Sequence, residues 1–229
     1  MNAPLRLISS MATRQVLAEG VAAFTRGGGA EVRLEAVGGV DAARRVAEGE
    51  AFDVVALAAD ALQRLEAAGH LVAGSRRDLM RSGVAVAVRA GAPRPDLSDE
   101  ATLRAAVLAA PTLGYSTGPS GTQLMRLFER WGVAEALHER IVQAPPGVPV
   151  AALVADGRVA LGFQQLSELL HVPGIDIVGP LPPAVQITTV FGAAVAACSA
   201  RREAAEALIA FLASEETAQA KRRQGMEPA

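Results

Sequence analysis

Lysine is nearly absent from this sequence. Lys221 is the single one, and the other 21 of the 22 basic residues are arginine. Neither a Schiff-base lysine nor a phosphate-clamping loop lysine therefore has a candidate away from the C-terminal region. Cysteine is as scarce. Cys198 alone excludes an intrachain disulfide and a cysteine-based zinc site, and its place in the apolar run VFGAAVAACSA predicts a buried structural thiol. The three histidines (His70, His138 and His171) are far apart and show no ligand spacing, so no metal is expected. Aromatic residues make up 3% of the chain against 51% hydrophobic residues, so Ala, Val and Leu must fill the core. No run of 18 residues is free of charges and turn formers, which predicts no transmembrane helix and no membrane partner. The formal net charge of −2 argues against a nucleic-acid partner. The opening MNAPLRLISS has no basic stretch followed by an apolar one. The expectation is a cytoplasmic protein, or a periplasmic one if a leader has been removed.

What is present is alternation. LRLIS (5–9), EVRLEAV (31–37) and FDVVAL (52–57) read as strands. Helical spacing separates and follows them: Val16, Leu17, Val21 and Phe24; then 40–48; then Leu62 and Leu65, closed at Gly69. This β-α repeat predicts an α/β fold with a mostly parallel sheet. A strand over 83–89 and a Gly/Pro-rich connection lead to a second series, with Ser98 as the helix N-cap. That series has strands at 111–116, 140–144, 158–164 and 175–179. Its helices are marked by Leu103 and Val107, by Leu124 to Trp131, over 148–156 and over 165–170. QITTVFGAAVAA (186–197) reads as a strand returning to the first series, followed by helices around Leu208 and toward Lys221. The expected organisation is lobe I over 1–81 and 190–229 and lobe II over 82–189. Two crossover strands join them, and a ligand cleft lies between them.

Ligands of open α/β sheets bind beyond the carboxyl ends of the strands. Four loops qualify. In ISSMAT, Ser9, Ser10 and Met11 end a strand and open a helix, where free N–H groups receive an anion or a serine caps the turn. In AVGGVDA, Gly38 and Gly39 permit close backbone approach or simply a tight turn. In GYSTGPSGT, Ser116, Thr117, Ser120, Gly121 and Thr122 converge on a helix start, either as an anion seat or as a cap. This loop has no GKS/T and no GxSxG, so nucleotide binding and a nucleophile elbow are disfavoured. In GFQQLSE, Gln164 and Gln165 offer amides to a carboxylate or to the next helix. Tyr115, Glu168 and His171 are the titratable residues nearest these loops. The paired arginines are expected on solvated helix faces.

The stretches LRLISSMATRQVLAEGVAAF, FDVVALAADALQRLEAAGHL, SGVAVAVRAGAPRPDLSD, GYSTGPSGT and VAALVADGRVALGFQQLSEL resemble, in that order, molybdate-binding-protein-like solute-binding proteins. The resemblance covers nearly the whole chain. It implies a two-lobed type II periplasmic-binding-protein fold and a small anion, oxyanion or carboxylate, as partner, with no cofactor. By position it points to Ser9 or Ser10, to Gly38–Gly39 where those binders carry a serine, and to Thr188 on the return strand. The missing serine, the Gln164–Gln165 pair, and Gln186, Thr188 and Thr189 in place of a tyrosine suit a larger di- or tricarboxylate. One branch of the family is similar to aconitate isomerase, which implies an allylic proton shift on such a ligand as the alternative to simple binding.

Overall fold

The computed structural model describes residues 3–145 and 147–229. In chain order the elements are β1 (Leu5–Ser10), α1 (Arg14–Arg26), β2 (Val32–Val37), α2 (Gly39–Ala47), β3 (Val54–Ala58) and α3 (Ala59–Ala67). Then come β4 (Arg77–Arg89), α4 (Glu100–Ala109), β5 (Leu113–Tyr115), α5 (Pro119–Arg130), α6 (Ala134–Leu137), β6 (Ile141–Gln143) and α7 (Val150–Ala155). The chain ends through β7 (Leu161–Gln165), α8 (Leu166–Leu169), β8 (Ile175–Pro180), β9 (Thr188–Val195), α9 (Arg202–Ala213), α10 (Ala218–Arg223) and β10 (Glu227–Pro228). It divides into two units. The first runs through Ser82 and resumes over Thr189–Ala229, and the second is Gly83–Thr188.

In the first unit β1 pairs in parallel with β2 (Ser10 opposite Val37) and with β3 (Ser9 opposite Ala56), and β9 closes antiparallel on β3. Helices cover both faces. Leu5, Leu7, Val16, Leu17, Leu208, Ile209 and Leu212 pack on one side, and Ile8, Val46, Phe52, Leu62 and Leu65 on the other. These are the aliphatic side chains that the low aromatic content requires. The two clusters are fed by the period-two strands and the helical stripes read from the sequence.

In the second unit β5 lies between β6 and β7, both parallel to it, and β7 and β8 pair antiparallel with β4. Gly114 and Gly162 are partners across β5 and β7. A Cβ on Gly162 would sit 2.4 Å from Val154 Cγ2, and one on Gly114 2.8 Å from Val159 Cγ1 and 3.0 Å from Val150 Cγ1. The two glycines thus let α7 lie directly on the sheet, which matters for the site below.

Several local expectations shift. The strand expected at 83–89 begins at Arg77, because the charged RDLMRS segment pairs at its edge with β10. Asp99, not Ser98, caps α4. Its carboxylate accepts from Thr102 N, and Thr102 Oγ1 accepts from Asp99 N–H, a complete capping box. Trp131 lies just past α5 and donates its indole N–H to Glu100 at 2.6 Å. Cys198 is exposed, not buried, because β9 stops at Val195 and the thiol falls in the following turn. Lys221 is buried in α10 at 1% exposure, although it lies near the C-terminus.

The paired arginines do not all sit on solvated helix faces. Arg45 packs over Phe52 and bridges Glu35 and Glu50, and Arg201 binds Asp53 at 2.6 Å. Asp53 also accepts from Ser199 Oγ at 2.7 Å and from Arg6 N–H at 2.9 Å. Burial alone would raise its pKa. The bonds from Arg6, Ser199 and Arg201 outweigh that and hold the carboxyl below the ordinary aspartate range. Asp53→Ala is expected to lose about 1–3 kcal/mol of stability at neutral pH, because Ser199 Oγ and Arg6 N–H lose their acceptor and Arg201 keeps only the carbonyls of Ala3 and Pro4. A folded-state pKa below the unfolded value gives stability that is present above the ordinary range and lost as pH falls through the lowered one. The difference between wild type and variant, read from urea unfolding, should therefore shrink toward pH 3.

Candidate functional site

Parallel pairing brings the carboxyl ends of β1, β2 and β3 to one edge of the first unit's sheet. Ser9 and Ser10 are buried there. Ser9 Oγ donates to Ser10 O at 3.3 Å, Ser10 Oγ lies 3.4 Å from Thr13 Oγ1, and Thr13 Oγ1 donates to Ser10 O at 3.1 Å. Met11 starts the short 3-10 turn leading into α1, which no side chain caps. A Cβ on Gly39 would lie 3.6 Å from Ser10 Cβ, so the first two loops are neighbours. Gly38 opens α2 without a side-chain cap, and Ala58 opens α3 in the same way. Three uncapped helix starts thus share the edge, and each leaves N–H groups with no partner inside its helix. The third, at Ala58–Ala59, was not foreseen. VVALAADAL carries alanine at both residues of that turn, and its one polar residue, Asp60, already lies inside the helix.

The carboxyl ends of β5, β6 and β7 share an edge of the second unit in the same way. Ala144 N–H donates to Tyr115 O, tying the loop after β6 to the end of β5. Tyr115 itself packs against the unit's core. In the hydroxyl-rich loop that follows, Gly118 is the N-cap of α5 and Pro119 its first residue, and no side chain caps the helix. The hydroxyls of Ser116, Thr117, Ser120 and Thr122 have no hydrogen-bond partner among the described residues. Ser120 is buried, Ser116 half-buried, and Thr117 and Thr122 exposed. Gly121 holds the loop shut. A Cβ there would lie 1.9 Å from Ser116 O and 2.9 Å from Tyr115 Cδ2, so only glycine lets the Ser116 carbonyl rest on the first turn of α5. The loop is therefore not a side-chain cap. It presents a set of uncommitted donors at the positive end of a 12-residue helix.

The β7 end is organised by tertiary contacts. Gln164 is buried, and its Oε1 accepts from Ala151 N–H, in the first turn of α7, at 3.0 Å. Its amide also bonds Glu168. Gln165 is buried and serves as the N-cap residue of α8. Ser167 is buried, and its Oγ has no hydrogen-bond partner among the described residues. Burial pushes the Glu168 carboxyl up to about 7, and the bond to Gln164 restrains the rise. His171 is exposed in the turn after α8, and Thr188 opens β9 with an exposed side chain. Among the described residues no group of three or more His, Cys, Asp and Glu could hold a metal ion. No helix among them is long and apolar enough to cross a membrane.

These features define a class. A doubly organised α/β chain whose strand ends present uncapped helix N-termini and small hydroxyls is the architecture of type II periplasmic binding proteins, and residues 5–227 match the model of the bacterial extracellular solute-binding protein family. The chain belongs to that family. Among characterised relatives, it is 42% identical over 185 residues to an aconitate isomerase from a Pseudomonas species, a match covering 80% of this chain and 70% of that one. Among solved structures, the periplasmic molybdate-binding protein of Azotobacter vinelandii superposes with a TM-score of 0.81 at 20% identity, covering 97% of this chain and 98% of that one. The sulfate-binding protein SubI of Mycobacterium tuberculosis H37Rv gives 0.80 at 18% identity, covering 100% and 88%.

Proposed function

We propose that this protein binds a small unsaturated tricarboxylate of the aconitate type and moves an allylic proton on it. The observation that carries the reading is the 42% identity to an aconitate isomerase over most of both chains. The site chemistry supports it. Carboxylates suit donors that are N–H groups and neutral hydroxyls, and the second unit offers those at Ser116, Thr117 and Ser120. Glu168 supplies the base. A carboxyl whose pKa is about 7 is about half ionised at neutrality, so it can take a proton and still return it. Its carboxylate removes a proton from the methylene next to the double bond. The electron pair delocalises over three carbons and into the flanking carboxylates held by the donors. Glu168 exchanges the proton it has taken with solvent and returns a proton to the far carbon, and the double bond has moved. Nothing is oxidised or reduced, and no cofactor enters the route.

The test is proton NMR of purified protein with cis- and trans-aconitate in deuterated water. Isomer formation with deuterium incorporation is the expected result. Absence of both, together with thermal stabilisation by molybdate but not by aconitate, would return the chain to a simple oxyanion binder. Ser116→Ala and Ser120→Ala should each weaken aconitate binding about tenfold, the effect of one lost hydrogen bond to a charged group. Their melting temperatures should change little, because neither hydroxyl has a hydrogen-bond partner among the described residues. Unchanged affinity in both variants would remove the loop from the seat.

A further inference from the structure

We infer that the first unit carries a second ligand site, a cavity between the segment 72–77 and α9 that binds a small zwitterion, an aliphatic α-amino acid. The inference is independent of the isomerase reading, because no residue of the candidate seat lines this cavity.

The cavity arises from the way the chain leaves α3. Past Leu71 it turns along one edge of the sheet, where Val72 N–H donates to Val195 O at 2.9 Å. Val195 lies opposite Val54, the first residue of β3, so the turn sits at the amino end of that strand. Ser9 and Ser10 lie at the other edge of the same sheet, at the carboxyl ends. The turn is braced on both sides. Ser75 Oγ donates to Val72 O at 2.7 Å and accepts from Val195 N–H at 3.0 Å. Gly74, at φ +75°, donates its N–H to the Glu66 carboxylate at 2.8 Å. Glu206, Ile209 and Ala210 of α9 form the facing wall, and the space between, open to solvent, is about 300 Å³. That lies at the lower end of ligand-site volumes and suits a molecule of amino-acid size.

Two charges of opposite sign line this space without meeting each other. Arg77, at the start of β4, donates from one terminal nitrogen to the carbonyls of Gly74 and Arg76, at 3.2 and 2.9 Å. Those bonds hold the guanidinium against the turn. Its Nε and its other terminal nitrogen have no acceptor among the described residues. Glu206 has no hydrogen-bond or ion-pair partner among them. Arg202, one turn earlier on α9, donates instead to Ala197 O. A lone anion here would be opposed by Glu206, and a lone cation by Arg77. A molecule with both charges satisfies both, its carboxylate on the guanidinium fork and its ammonium on the Glu206 carboxylate. Val72 and Ile209, which pack in one apolar cluster, receive its aliphatic chain. No aromatic side chain lines the cavity to stack a planar ligand.

The experiment uses the whole protein with L-leucine as the probe. The 15N-labelled protein is titrated and followed by NMR at the backbone amides of Gly74, Ser75 and Ala210. A saturating shift with a Kd of about 1 mM or tighter is expected, and saturating aconitate should leave it unchanged. The carboxylate 4-methylpentanoate and the amine 3-methylbutylamine each keep the aliphatic chain but only one charge. Each should bind at least about tenfold more weakly than leucine, the effect of one lost charge-assisted hydrogen bond. Glu206→Gln should weaken leucine by the same factor and leave 4-methylpentanoate unaffected, whereas Arg77→Gln should weaken both. Glu206 is exposed on α9, so its variant keeps the fold and decides the matter if Arg77→Gln loosens the turn. Leucine that leaves the three amides unmoved overturns the inference. So does single-charge binding as tight as that of leucine, or displacement of leucine by aconitate. If leucine binds as described but no aconitate is converted, the second site stands and the isomerase reading fails.

Discussion

Replacing Glu168 with glutamine should lower aconitate isomerisation by about 10²–10⁴-fold, the usual contribution of a positioned general base, while aconitate still stabilises the protein against heat. Glutamine keeps the shape and the bond to Gln164 but cannot hold the migrating proton. The split between lost turnover and retained binding separates a base from a carboxylate that only shapes the site. Stability should change in the opposite direction. The ordinary glutamate value is 4.5 and the folded value about 7. Between them the folded state binds more protons than the unfolded state, so the wild type loses stability as pH rises through that window. The shift corresponds to at most about 3 kcal/mol, at 1.36 kcal/mol per unit. The variant should be free of this slope and more stable than wild type at pH 8, as urea unfolding at pH 5 and pH 8 would show. Unchanged turnover would dismiss Glu168 as the base, and an unchanged slope would show that its carboxyl is not desolvated in the fold.

How far the sequence reached depends on what kind of contact defines each residue. The strands are legible because their alternation is local: Leu5, Leu7 and Leu34 announce their pleat whatever surrounds them. The loops that end them are legible where small polar residues mark the turn, as at Ser9–Ser10 and over Ser116–Thr122. The start of α3 at Ala58–Ala59 is built from the same backbone groups, yet alanine leaves no trace. Residues defined by partners distant in sequence were read too simply. Gln164 offers its amide in the sequence to a carboxylate or to the next helix, and its carbonyl accepts from Ala151 N–H in α7, a bond that needs α7 and β7 packed together. Arg201 looked like a solvated helix residue, but it is drawn to Asp53, 148 positions away. The serine of Ser98-Asp99 looked like the cap. Only Asp99 stands three residues before Thr102, the spacing at which two side chains and two N–H groups can satisfy each other.

Gly121→Ala should damage the candidate seat more than any hydroxyl deletion, although it removes no donor. The added methyl would meet the Ser116 carbonyl at 1.9 Å, and the opposing atom is backbone, so no side-chain rotation can relieve it. Either the Ser116–Gly118 segment lifts off α5 or the first turn of the helix unwinds. Overpacking of this kind costs about 1–3 kcal/mol. In both cases the hydroxyls of Ser116, Thr117 and Ser120 and the first N–H groups of α5 lose their common aim, and a ligand that needs several at once loses them together. Aconitate affinity should fall by more than the roughly tenfold expected for Ser116→Ala or Ser120→Ala alone. The rest of the second unit should stay folded, because Leu124, Leu127 and Phe128 anchor α5 from its later turns. Isothermal titration with aconitate, alongside circular dichroism, checks both halves of the expectation. A folded variant that binds aconitate as the wild type does would mean that the closed geometry of GYSTGPSGT serves only packing. A folded variant with binding lost would tie the geometry of the loop, and not merely its hydroxyls, to the ligand.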